Sequence, residues 1–130
     1  MKVKLPFPPK ELSPNARHDR RAIAGTRRAY RDQCFWLTKQ ACKAWEPLFV
    51  DVELSVTFIQ PDNRHRDADN ILTASKAAID GFAEALGMND RQFKPLRVDW
   101  KRGDKPGALI LELHPLTVMS ALDQQMGVTL

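Results

Sequence analysis

This 130-residue chain has two cysteines, one tyrosine and six glycines, and it has no long apolar run. Each scarcity excludes something. Cys34 and Cys42 are eight positions apart, and a helix carrying both would separate them by ~12 Å along its axis. A disulfide needs Cα atoms within roughly 7 Å, so the pair cannot bridge within one chain. Two cysteines also fall short of a zinc site unless histidines converge on them, and His18, His65 and His114 are scattered without ligand spacing. Both thiols read as plain helix residues. No stretch approaches the ~20 apolar residues of a membrane span. The opening Met1-Lys2-Val3-Lys4-Leu5-Pro6 lacks the apolar core of a signal peptide. The expectation is a cytoplasmic chain with no membrane partner, free of repeats and low-complexity segments.

What is present fits one modest domain: 43% hydrophobic and 28% charged residues with a net charge of +4. The charge is unevenly spread. Residues 1–43 hold eleven Lys/Arg against three acids, a balance of +8, while the remainder is −4. A basic third beside an acidic-centred remainder suits a protein that grips a polyanion with one region and positions metal with another. A solvated basic surface would look the same without further motifs.

Along the chain, Val3 to Phe7 predicts an edge strand closed by Pro6, Pro8 and Pro9. Lys10 to Arg21 is dense in charge without an apolar period and predicts a basic loop, with residues 10–25 as its widest extent. Tyr30, Cys34, Leu37, Ala41 and Trp45 step at helical spacing and predict a helix from Thr26 to Ala44. Phe49 to Gln60 alternates, with Val50, Val52, Leu54, Val56 and Phe58 facing one way, and predicts a half-buried strand. A second helix is expected from Ile71 to Leu86, stopped by Gly87, with Gly81 marking a close packing contact. Leu96 to Lys101 and Ala108 to His114 predict two strands joined as a hairpin by Arg102 to Gly107. Residues 116–130 have no strong period and read as a C-terminal tail. The expected fold class is α/β: a mixed α+β sheet with two main helices in a single compact domain.

The chemistry concentrates in Arg64-His65-Arg66-Asp67-Ala68-Asp69-Asn70 and its sequel. One acid there is explained by helix capping, but two carboxylates held close repel unless a cation neutralises them. A calcium loop fails, because its sixth and twelfth positions would be Leu72 and Ala78. The remaining reading makes Asp67, Asp69 and Asp90 oxygen ligands of Mg²⁺, provided the fold brings Asp90 back to Asp67. Lys76, seven residues beyond Asp69 and on the same helical face, would stabilise a phosphoryl transition state. An exposed helix lysine is the plainer alternative.

These residues resemble a known family. Arg66-Asp67-Ala68-Asp69-Asn70-Ile71, then Lys76-Ala77-Ala78-Ile79-Asp80-Gly81-Phe82, then Asn89-Asp90-Arg91-Gln92-Phe93 is similar to the signature of RusA-type Holliday junction resolvases. Pro8-Pro9-Lys10-Glu11-Leu12-Ser13-Pro14-Asn15-Ala16-Arg17 resembles that family's opening motif, and the likeness covers roughly residues 3 to 114. Two departures stand out: the spacing from Asp69 to Lys76 is longer than in the shorter form of the motif, and Asn89 stands where a second acid often precedes the last ligand. The resemblance implies a homodimeric, magnesium-dependent endonuclease (crossover junction endodeoxyribonuclease, with Mn²⁺ as the alternative to Mg²⁺) that resolves four-way DNA junctions in recombination and repair. It implies Asp67, Asp69 and Asp90 as catalytic metal ligands and Lys76 as catalytic lysine. Asn15, Arg17, Arg20, Arg21, Arg27, Arg28, Arg64 and Arg66 would contact DNA. A catalytically silent branched-DNA binder and a nuclease of flaps or other branches remain the alternatives.

Overall fold

The computed structural model describes residues 1–13 and 19–115. It is a single small α+β domain: β1 (Lys2–Leu5), α1 (Arg20–Ala41), β2 (Val52–Gln60), α2 (Ala68–Ala85), β3 (Phe93–Arg102) and β4 (Ala108–Pro115). Short 3-10 turns at Lys10–Leu12 and Asp90–Gln92 precede α1 and β3. The four strands form one mixed sheet in the order β1-β4-β2-β3. β2 runs antiparallel to β4 and parallel to β3.

Alternation in β2 builds the core. Val52, Leu54, Val56 and Phe58 are all fully buried, while the residues between them are half-exposed. In register, Leu54, Val56 and Phe58 face Leu113, Leu111 and Leu109 of β4, and Leu111 and Leu109 continue to Val3 and Leu5 of β1. Both helices contribute to this core, through Tyr30 and Cys34 from α1 and Ile71, Ala74, Ala78 and Phe82 from α2. Tyr30 donates its hydroxyl to the Pro6 carbonyl at 2.6 Å, and Trp45 Nε1 donates to the Leu86 carbonyl at 3.1 Å. Burial pushes the Cys34 thiol up to about 12, and both cysteines are free. α2 ends at Ala85 with Leu86 as its C-cap, and Gly87, at φ 66°, is the left-handed stop expected just beyond it.

Several expectations change. α1 begins at Arg20, with the Asp19 side chain accepting from Arg21 N, so residues 20–25 are helix and not loop. Its buried stripe is Tyr30, Cys34 and Thr38, whereas Ala41 is exposed and lies at the end of the helix. β2 starts at Val52, leaving Phe49 90% and Val50 63% exposed. The hairpin does not form: β3 and β4 flank β2 on opposite sides. Residues 103–107 instead cross the end of β2, with Gly103 N donating to the Gln60 carbonyl at 3.1 Å. Gly107 adopts φ 76°, and a Cβ there would stand 2.8 Å from the Ile59 carbonyl oxygen. Proline-glycine chemistry therefore marks a tight passage over a strand end. The tail 116–130, with Asn15 and Arg17, lies outside the described residues.

Gly81 sits where α2 meets α1. An added Cβ would run into the Arg31 carbonyl oxygen and stand 3.2 Å from Phe35 N. Gly81→Ala is expected to destabilise the chain by about 1–3 kcal/mol through overpacking, despite a helix-propensity gain of up to about 1 kcal/mol. Gly25→Ala, with nothing within 4 Å of the new methyl, should stabilise by up to about 1 kcal/mol. Urea unfolding of the two variants checks both, and a Gly81→Ala chain as stable as wild type would contradict the close helix contact.

Candidate functional site

The acid-rich stretch forms the entry to α2. Asp67 is its N-cap residue but makes no side-chain capping bond, and Asp69 lies in the first turn. The preceding loop is held by Arg66, whose guanidinium donates to both carboxylate oxygens of Asp62 at 2.9 and 3.2 Å and to Gln60 Oε1 at 3.1 Å. It also lies over the Phe7 ring at 5.3 Å. The Arg66 and Arg64 donors hold the Asp62 carboxyl below its usual range. Arg66 is thus engaged in shaping the loop, while the Arg64, His65 and Asp67 side chains remain exposed. His65 and Asp67 approach to 3.9 Å.

Asp67 and Asn70 line a cavity of about 640 Å³ together with Pro8, Pro9 and Lys10. Two motif stretches distant in sequence therefore meet at the N-terminal end of α2. Asp67 also borders a shallower cavity of about 460 Å³ with Trp100 and Arg102 from the end of β3.

Farther along α2, Thr73, Lys76 and Asp80 follow Asp69 at steps of four, three and four residues, which puts all four on one helical face. Lys76, Asp80 and Asp90 line a cavity of about 430 Å³ over Leu54, Phe93 and Leu96. Arg27 of α1 faces Lys76 and Asp80 across a second cleft. Arg20, Arg21 and Arg28 are exposed along α1.

Lys76 and Asp90 line one cavity that also takes in Leu72 and Thr73 from the first half of α2, while Asp67 and Asp69 stand at the start of that helix, Asp69 about 10 Å along the axis from Lys76. Among the described residues, no group of three or more His, Cys, Asp or Glu is arranged to hold a metal ion.

No protein-family model matches the chain. Over 94 residues, 68% of its length, it is 38% identical to a protein of Xylella fastidiosa (strain Temecula1 / ATCC 700964) described as uncharacterized. The match spans 60% of that relative's own length. Among the described residues, no helix is long and apolar enough to cross a membrane.

Asp80 is the site residue that sequence reasoning passed over, although its place four residues after Lys76 was a usable signal. Its carboxyl is held above the ordinary value of 3.8, first by burial and then by the charge of Asp90, against the pull of Lys76 and Arg31. A raised folded-state pKa means that the folded chain binds the proton more tightly than the unfolded chain. The ionised carboxylate then lowers stability as pH rises from the ordinary carboxylate range through the raised value. Asp80→Asn should therefore melt higher than wild type at pH 7, with the difference vanishing below about pH 3. Thermal melts at the two pH values check this, and an equal offset at both would contradict it.

Proposed function

We propose that the chain is a magnesium-dependent, structure-selective DNA endonuclease of the RusA type, resolving four-way junctions by paired hydrolytic cuts as a cytoplasmic homodimer. The observation that carries the reading is that Pro8, Pro9 and Lys10 line one cavity with Asp67 and Asn70. These are two separate parts of the signature, and a chain using them only for capping or turns would have no need to face them together. Lys76 beside Asp90 adds a second meeting of motif residues.

The side chains support a division of labour. Arg20, Arg21, Arg27 and Arg28 on α1, with Arg64 in the loop, offer cations for DNA phosphates, which would make binding salt-sensitive. Asn15 and Arg17 join them by resemblance. Such contacts position a junction and need not read its sequence. Lys76 would neutralise charge developing on the phosphate. Bound Mg²⁺, or Mn²⁺ in its place, would supply polarisation of the phosphate and a more acidic attacking water. A two-fold dimer offers two equivalent sites for opposed strands.

A catalytically silent junction binder is the second reading, and the decisive experiment separates the two. Asp69→Asn is expected to abolish Mg²⁺-dependent cleavage of a synthetic four-way junction while leaving binding intact. Wild-type cutting by that variant would overturn the assignment, as would an inert wild-type protein. Running flap and linear duplex DNA in parallel ranks the substrates, and preference for flaps would transfer the reading to another branched structure.

A further inference from the structure

The cavity at the start of α2 has the make-up of a pocket for a flat ligand with a polar edge. Its apolar walls are Phe7, Pro8, Pro9, Pro61, Ile71 and Ala74, from three separate parts of the chain, around a volume of about 640 Å³. Ligand pockets typically span roughly 300–1,000 Å³ and combine mostly apolar walls with a few placed polar groups. One wall is fixed in advance. Phe7 packs edge-on against the buried Phe58 at 6.5 Å and carries the Arg66 guanidinium over its face at 5.3 Å. That guanidinium is itself held by Asp62 and Gln60, so little ordering remains to be done when a ligand enters.

The polar groups of the cavity are placed but unengaged. Asn70 is half-buried, and its side-chain amide makes no hydrogen bond among the described residues. An amide holds two donors and an acceptor side by side, and leaving it unpaired among apolar walls costs free energy that a matching ligand would return. Asp67 makes no side-chain capping bond either. Two exposed cations, Lys10 and Arg64, stand at the same cavity.

We infer that this cavity takes one unstacked nucleobase of the DNA substrate, with Asn70 hydrogen-bonding the edge of the base and Lys10 and Arg64 meeting its flanking phosphates. The inference rests on the branched-DNA reading and names what that site recognises. The flat faces of a base match the phenyl and proline rings, and its edge carries adjacent donors and acceptors that an Asn amide meets two at a time. A purely apolar molecule would leave Asn70 unmet, and inorganic phosphate alone would leave the apolar walls bare. Extruding a base is least costly where pairing is already interrupted, as at a branch point. Asp67 lines the same cavity, so a seated base holds its own phosphodiester beside the first acid of the signature. The occupied pocket would then decide which phosphodiester is presented, a choice that backbone contacts from α1 do not make.

The test reads binding in EDTA, without Mg²⁺-dependent cutting, so its outcome is separate from that of the cleavage experiment. Synthetic four-way junctions carrying an abasic site at each position near the branch point in turn would be titrated with the full chain by fluorescence anisotropy. Affinity is expected to fall about tenfold at one position, or at its symmetric equivalents, as the loss of one base–aromatic stack does, and to hold at the others. In Asn70→Leu the penalty at that position should shrink by about threefold or more, the coupling that touching groups show. A 2-aminopurine at the same position should brighten when the unsubstituted chain binds, because it leaves its stacked neighbours. A junction bound equally well with an abasic site at every position, a 2-aminopurine that stays dark, or a penalty that Asn70→Leu leaves unchanged would overturn the pocket and leave the cleavage result standing. If Asn70→Leu misfolds, the 2-aminopurine signal decides. A chain that binds no junction at all would overturn the reading beneath the pocket as well.

Discussion

The parallel pairing of β2 with β3 governs this molecule. Parallel neighbours cannot be joined by a tight turn, so the chain must travel back along the sheet before β3 begins. α2 makes that journey and buries Ile71, Ala78 and Phe82 against the sheet as it does so. The same geometry dictates where the chemistry falls. Asp67 and Asp69 occupy the start of the return path and Asp90 its end, with Lys76 and Asp80 on the exposed face between them.

Much of this architecture was legible locally. The alternation from Val52 to Phe58 described a sheet buried on one face, and Gly81 announced a close approach that proved to be the α1 backbone. What was hidden depended on distant partners. The turn chemistry of Arg102 to Gly107 fits a hairpin, and only the position of Ile59 and Pro61 against Gly107 explains why it is a crossing. The start of α1 was obscured because a helix exposed over its first turns has no apolar period to display. Thr38 escaped notice because its hydroxyl donates to the Cys34 carbonyl at 2.7 Å, which lets a polar residue sit fully buried.

The candidate site was legible in parts. Spacing alone put Asp69 and Lys76 on one face, and the likeness between Pro8–Lys10 and a known opening motif anticipated its proximity to Asp67 in no geometric sense, yet the two line one cavity. Besides the DNA contact expected of Arg66, its guanidinium is tied to Asp62 and Gln60 and braces the loop that presents Asp67, a role that no local pattern displayed. No local pattern could reveal that Asp90 lines a cavity with Lys76 and Asp80, because that meeting depends on where the whole sheet starts β3.

The account turns on whether the acids of the signature serve one metal-dependent cleavage, and a four-way junction measures that directly. Asp67→Asn, Asp69→Asn and Asp90→Asn chains would each be assayed for binding and for strand cutting in the presence of Mg²⁺. The account predicts that all three bind the junction as the unsubstituted chain does and that none cuts it. Cutting by any of the three at the rate of the unsubstituted chain would contradict the account.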